Sequence, residues 1–119
     1  MAMCIVYGMT NCDTIKKTLT WLSAHGIPFE FHDYKISGIS KDKLAEWCRQ
    51  AGWELVLNKK SSTWRGLPLL VQEKITNEIE AIKLMFEYTS IIKRPVVETG
   101  RQLLIGFSEG IFSKQLKDK

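Results

Sequence analysis

Cys12 stands in the segment Met9-Thr10-Asn11-Cys12-Asp13-Thr14, between an apolar run that ends at Gly8 and a stretch with Ile15, Leu19 and Leu22 at helical spacing. A cysteine at such a junction faces backbone N–H groups that have no partner inside the helix they open. Those donors, near Thr14 and Ile15, and the helix dipole favour an anion. A thiol of ordinary pKa ~8.5 can fall there to between about 3.5 and 7.5. The thiolate is the reactive form, so the position turns an inert thiol into a nucleophile. Asp13 opposes this effect with its own negative charge, and Lys16 and Lys17 support it. Asn11 and Thr14, the polar neighbours of Cys12, are candidate substrate contacts.

Lys93-Arg94-Pro95-Val96 is the second group with chemistry. Arg94 presents a planar fork of donors suited to an oxyanion or a carboxylate. Pro95 lacks an N–H, and the N–H of Val96 is then expected to pair with an extended thiol substrate. The polar stretch from Asn58 to Pro68 holds further donors and one aromatic, Trp64. Asn58, Lys60 and Arg65 are its candidate substrate contacts. Position 15, where a C-x-x-C motif places its second thiol, is Ile15. A disulfide on Cys12 is therefore resolved by an outside thiol such as glutathione, or by Cys48 if the fold brings it close. Cys4 and Cys48 lie in apolar patterns and read as small hydrophobes. His25 falls at a helix end and His32 in a strand. Neither pairs with Cys12 by spacing, which argues against a Cys-His protease. The three cysteines show no metal-ligand spacing, and there is no P-loop or dinucleotide fingerprint.

These residues need elements to position them. Met3–Tyr7 reads as a buried strand, and Asp13–His25 as a helix closed by Gly26. Pro28–Tyr34, with Phe29 and Phe31 two residues apart, reads as a second strand. The first third is thus β-α-β and expected to be parallel. Ser40 caps a helix with Leu44, Trp47 and Cys48 on one face, closed near Gly52. Asn77 and Glu80 form a capping box before a helix whose apolar stripe is Ile79, Ile82 and Phe86. Pro95–Glu98, the turn Thr99-Gly100-Arg101 and Gln102–Ile105 make an antiparallel hairpin. Ser108 caps a last short helix through Leu116. The predicted fold is α/β, thioredoxin-like, with a helical insertion over about 36–92 between β-α-β and β-β-α halves of a single domain, 1–119. In that fold a proline that opens a strand facing the cysteine loop is expected in cis.

Composition sets outer limits. One domain suits 119 residues. The net charge of +4 is spread along the chain, with small concentrations at Lys59-Lys60 and in the tail at Lys114, Lys117 and Lys119. A nucleic-acid surface is more basic and more clustered, so no nucleic-acid partner is expected. A small anionic substrate fits this charge. No apolar run spans a bilayer, no signal peptide is read at the N-terminus, and a cytoplasmic protein with free thiols is expected.

Three segments together, Asn11-Cys12-Asp13-Thr14-Ile15-Lys16-Lys17, His32-Asp33-Tyr34-Lys35 and Lys93-Arg94-Pro95-Val96, resemble the arsenate-reductase-like (ArsC/Spx) family, in its short YffB-like branch. The resemblance runs from Cys4 to about Phe112. It implies a thioredoxin-type core with a helical insertion, and thiol redox chemistry linked to glutathione or glutaredoxin, with no bound cofactor and glutathione as co-substrate. Arsenate reductases proper set three arginines around the cysteine. By the resemblance Arg94 takes one place, while Asn58 and Gly106 stand at the other two, with Arg65 and Arg101 as neighbouring substitutes. Arsenate is thus a doubtful substrate. The alternative that the resemblance offers is a regulatory module of the Spx kind, binding RNA polymerase. Such regulators commonly carry a C-x-x-C switch, which Ile15 removes here.

Overall fold

The computed structural model describes residues 3–117; Met1, Ala2, Asp118 and Lys119, the last of the tail lysines, lie outside the described residues. Along the chain run β1 (Cys4–Gly8), α1 (Asp13–Ala24), β2 (Phe29–Asp33) and the single turn α2 (Tyr34–Ser37). Then come α3 (Lys41–Ala51), α4 (Trp53–Val56), α5 (Ser62–Arg65), α6 (Leu69–Glu73) and α7 (Glu78–Glu87). The chain ends with β3 (Val96–Glu98), β4 (Leu103–Ile105), α8 (Glu109–Phe112) and a π-type turn, Ser113–Lys117. Two compact units result, one of residues 1–37 and 94–119, the other of residues 38–93.

The first unit carries a four-stranded sheet in the order β2-β1-β3-β4. β1 and β2 are parallel, with Gly8 opposite Asp33. β3 runs antiparallel to both β1 and β4. This is an α/β protein of thioredoxin-like fold. Its core gathers Val6, Ile15, Trp21, Leu22, Val97, Leu104 and Phe112, with Cys12 packed against it. Helix α1 can lie this close to the sheet because of Gly8. A Cβ there would run into Ile15 Cδ1 and stand 2.8 Å from Ile15 Cγ1. The glycine that ends the apolar run is therefore the last residue of the strand, and its missing side chain is the seat of Ile15. The α1 end is as the sequence predicts: Gly26 adopts a positive φ of 68° one residue beyond the C-cap His25. The β3–β4 hairpin turns through Gly100 at φ 92°, closed by the Thr99 N–H bonded to the Gln102 carbonyl at 3.1 Å.

The second unit is helical. Ser40 caps α3 by accepting from the Lys43 N–H at 3.0 Å, and Asn77 caps α7 by accepting from the Glu80 N–H at 3.0 Å. The buried face of α3 is Leu44, Trp47 and Cys48, as its spacing predicts. In α7 the buried face is Ala81, Leu84 and Met85, not the expected stripe. Ile79 and Phe86 are exposed, and Lys41 lies over the Phe86 ring at 5.0 Å. Both stripes have helical spacing, and packing against α3 selects between them. The stretch 58–68 is also more ordered than a polar loop. It contains α5, capped by Ser61 through the Trp64 N–H at 3.2 Å, and Trp64 is buried.

Candidate functional site

The carboxyl ends of parallel strands are where an open α/β sheet places its functional groups. Here β1 hands over to Met9-Thr10-Asn11-Cys12, and α1 begins at once. Cys12 is the N-cap of α1: its carbonyl accepts from the Lys16 N–H at 3.1 Å, while its side chain takes no capping hydrogen bond. The thiol is half-buried and uncommitted to the helix it opens. Asn11 is exposed and Thr14 half-buried beside it. The Thr14 carbonyl is occupied by the Thr18 hydroxyl at 2.8 Å. The loop is tied to the end of β2, where Asp33 accepts from the Thr10 N–H at 3.4 Å and from the Lys35 N–H at 2.9 Å.

Arg94 and Pro95 come to this same edge from the start of β3. The Arg94–Pro95 peptide is cis, as expected. The Arg94 guanidinium donates to Met9 Sδ at 3.3 Å, which places a fixed positive charge against the loop that carries Cys12. Val96 does not do what the sequence suggests. It is fully buried and paired on both sides, with Tyr7 of β1 and Ile105 of β4. The Gly106 N–H bonds the Pro95 carbonyl at 2.8 Å, so by antiparallel alternation the Val96 N–H points to β1 and Tyr7. The expectation that it is left open for a thiol substrate is corrected: the ladder uses it.

Asn58, Lys60 and Arg65 belong to the helical unit. The Asn58 Oδ1 accepts from the Lys60 N–H at 3.0 Å, and the Asn58 backbone N–H bonds the Ile91 carbonyl at 2.7 Å. Lys60 and Arg65 are exposed. Lys59 lies over the rings of Trp53 and Trp64.

The other cysteines are buried. Burial, with Glu78 adding to it, pushes the Cys48 thiol up to about 11. A thiol so held stays protonated at neutral pH and is a poor resolving group. His25 stacks on Trp21 at 4.0 Å and bonds the Trp21 carbonyl through Nδ1 at 2.8 Å, a helix-end role. Among the described residues no group of His, Cys, Asp and Glu can hold a metal ion, and no helix is long and apolar enough to cross a membrane.

One further residue of this edge stands in the sequence as part of a strand and a family motif, with no site role assigned to it. Tyr34 begins α2 instead of ending β2, and its side chain is buried at 1% exposure. Its ionisation is driven well above the ordinary tyrosine range, first by burial; Arg94 opposes that rise, while Cys12 and Asp33 add to it. The signal in the sequence was its place directly after a strand parallel to the one that precedes Cys12.

A family model described as the ArsC family matches residues 7–114, which takes in Cys12, Tyr34, Arg94 and Pro95. The chain belongs to the ArsC family. Among solved ArsC-like structures, that of the YFFB protein is 42% identical, with TM-score 0.90, covering 95% of this chain and 98% of that one. An arsenate reductase (ArsC) related protein from Brucella melitensis is 36% identical, with TM-score 0.77, covering 97% of this chain and 95% of that one. The regulatory protein MgsR of Bacillus subtilis is 29% identical over 115 residues, 95% of this chain and 90% of that protein.

Proposed function

We propose that this ArsC-family chain is a thiol-dependent reductase with Cys12 as nucleophile, Arg94 as the anion-holding group, and glutathione or glutaredoxin as the source of electrons. The observation that carries this reading is the N-cap position of a thiol that makes no capping bond, on the edge where the Arg94 guanidinium is anchored. In the reaction the Cys12 thiolate attacks the glutathione sulfur of a mixed disulfide between glutathione and a substrate thiol, and the substrate sulfur leaves as a thiolate. A glutathione thiolate then attacks the mixed disulfide. Cys12 returns as thiolate, and glutathione disulfide is the oxidised product. Ile15 is buried beneath Gly8, so the resolving thiol comes from outside.

Arsenate is the weaker substrate in this reading. A multiply charged oxyanion needs several fixed donors, because each uncompensated charge is costly to desolvate. Arg94 supplies one guanidinium. Gly106 has φ 83°, a conformation that disfavours an arginine there, and Asn58 carries no charge. The test incubates the protein with glutathione disulfide, identifies the modified peptide by mass spectrometry, and compares glutathione-coupled reduction of a small mixed disulfide with that of arsenate. A glutathione adduct on the Cys12 peptide and preferential disulfide turnover support the reading. Absence of any adduct, or efficient arsenate turnover at low concentration, overturns it.

The likeness to MgsR, whose name is that of a regulatory protein, favours a second reading, a module of the Spx kind that binds RNA polymerase. Stable co-purification of polymerase with this chain, unchanged in Cys12→Ser, supports the module over the enzyme.

A further inference from the structure

The Tyr34 hydroxyl is a fully buried side-chain polar atom with no hydrogen-bond partner among the described residues. A hydroxyl taken out of water without a partner carries a desolvation penalty, so its retention calls for a reason. Its place supplies one. Asp33, the residue before it, is the register partner of Gly8 and an acceptor for the Thr10 N–H. The phenol therefore enters the interior beside the strand ends that carry Cys12. Met9, the residue after Gly8, holds the Arg94 guanidinium through Sδ at 3.3 Å, and Tyr34 is the residue after Asp33, the register partner of Gly8. Cation and phenol thus belong to the same strand ends, and Arg94 opposes the rise in the Tyr34 pKa. Cys12 also acts on it. The guanidinium itself has five N–H donors and spends one on Met9 Sδ, a weak acceptor.

We propose that Tyr34 is a positioning residue for Arg94, its phenol oxygen accepting a hydrogen bond from the guanidinium and holding that cation toward the Cys12 thiol when an anion arrives. This rests on the reading of Cys12 and Arg94 given above. The hydroxyl is shielded from solvent, so it acts through Arg94 and does not touch substrate. Burial keeps the phenol neutral. It offers a lone pair to the guanidinium without a negative charge that would cancel it. Phenylalanine has the same ring and no acceptor, so the structure assigns the whole effect to one oxygen.

The test measures alkylation of Cys12 by iodoacetate, an anion, and by iodoacetamide, its neutral counterpart, on the full chain by peptide mapping. The ratio of the two rates reads the positive charge held at the thiol, and no turnover enters it. Tyr34→Phe is expected to lower the ratio about threefold, the low end of what one net hydrogen bond is worth, because the phenol reaches the thiol only through Arg94. In an Arg94→Ala background the same change is expected to do nothing, because coupled residues are not additive. Arg94→Lys, which keeps the charge and loses the fork, is expected to be insensitive to Tyr34→Phe as well. An unchanged ratio in Tyr34→Phe overturns the proposal, as does an equal fall in the Arg94→Ala background. Loss of the native melting transition in Tyr34→Phe also overturns it, since an unpartnered hydroxyl gives the fold nothing to lose. A ratio that behaves as expected in a protein that never forms a glutathione adduct overturns the reductase reading and leaves the pairing of Tyr34 with Arg94 standing.

Discussion

Three cysteines in one small chain differ because their surroundings differ. Cys12 is half-buried at a helix N-cap, while Cys4 and Cys48 are buried. At neutral pH Cys12 is therefore expected to be alkylated first and Cys48 last, read by peptide mapping after timed exposure to iodoacetamide. Faster labelling of Cys48 would sink the assignment of the nucleophile. Cys12→Ser is expected to abolish turnover with a small mixed disulfide, because a hydroxyl at that place is not ionised at neutral pH. Cys48 also makes stability depend on pH. Its thiol is raised to about 11 in the fold, so the folded state holds the proton more tightly than the unfolded chain. The contribution is fully present below the ordinary thiol pKa of ~8.5 and is lost as pH rises toward 11. Unfolding free energy is expected to fall by up to about 3 kcal/mol across that window. Cys48→Ala should flatten that part of the slope in denaturant titrations at stepped pH. An identical slope in wild type and variant counts against the burial argument.

At the scale of elements, the seam between β1 and α1 aims the site. Gly8 gives Ile15 its seat, and Ile15 begins the buried face of the helix that Cys12 opens. Gly8→Ala is expected to cost about 1–3 kcal/mol, since a new methyl group meets a side chain with nowhere to go. Adding Ile15→Val removes the Cδ1 methyl and should recover part of that loss. A Gly8→Ala protein as stable as wild type in urea would show that α1 can lift from the sheet freely. In the helical unit, Ser40→Ala removes the acceptor for the Lys43 N–H and is expected to cost about 1 kcal/mol. It should leave Cys12 alkylation as it was, and a changed rate would contradict a purely local cap.

At the scale of the molecule, the first unit is made of two separate stretches of chain, 1–37 and 94–119. Strands β3 and β4 reach β1 only when the ends of the stretch between them are brought together. Closing a loop of that length costs entropy that a folded insertion has already met. The proposal of one domain over the chain therefore predicts a single cooperative transition, with calorimetric and van't Hoff enthalpies equal. Two resolved transitions, one followed by Trp21 and one by Trp47, Trp53 and Trp64, would replace it by two independently folding units.

What the sequence alone determined is local. Helix starts at Ser40, Asn77 and Ser108, the glycine after α1 and the hairpin at Gly100 were legible because each is set by a short-range rule: a cap side chain, a positive φ, a turn. The order β-α-β, helices, β-β-α followed from them, and with it the place of Cys12 and Arg94 at one edge of the sheet. The tertiary structure decided what depends on a partner from elsewhere in the chain. It chose Ala81, Leu84 and Met85 over Ile79 and Phe86 as the buried face of α7, since two apolar stripes of equal period differ only in what they pack against. It used the Val96 N–H within the sheet, because hydrogen-bond direction alternates along a strand with neighbours on both sides. It buried Trp64, which stands in a polar stretch of the sequence, and it buried Tyr34. Periodicity and spacing report on a residue's own element, whereas burial and register are made by residues far apart in the chain.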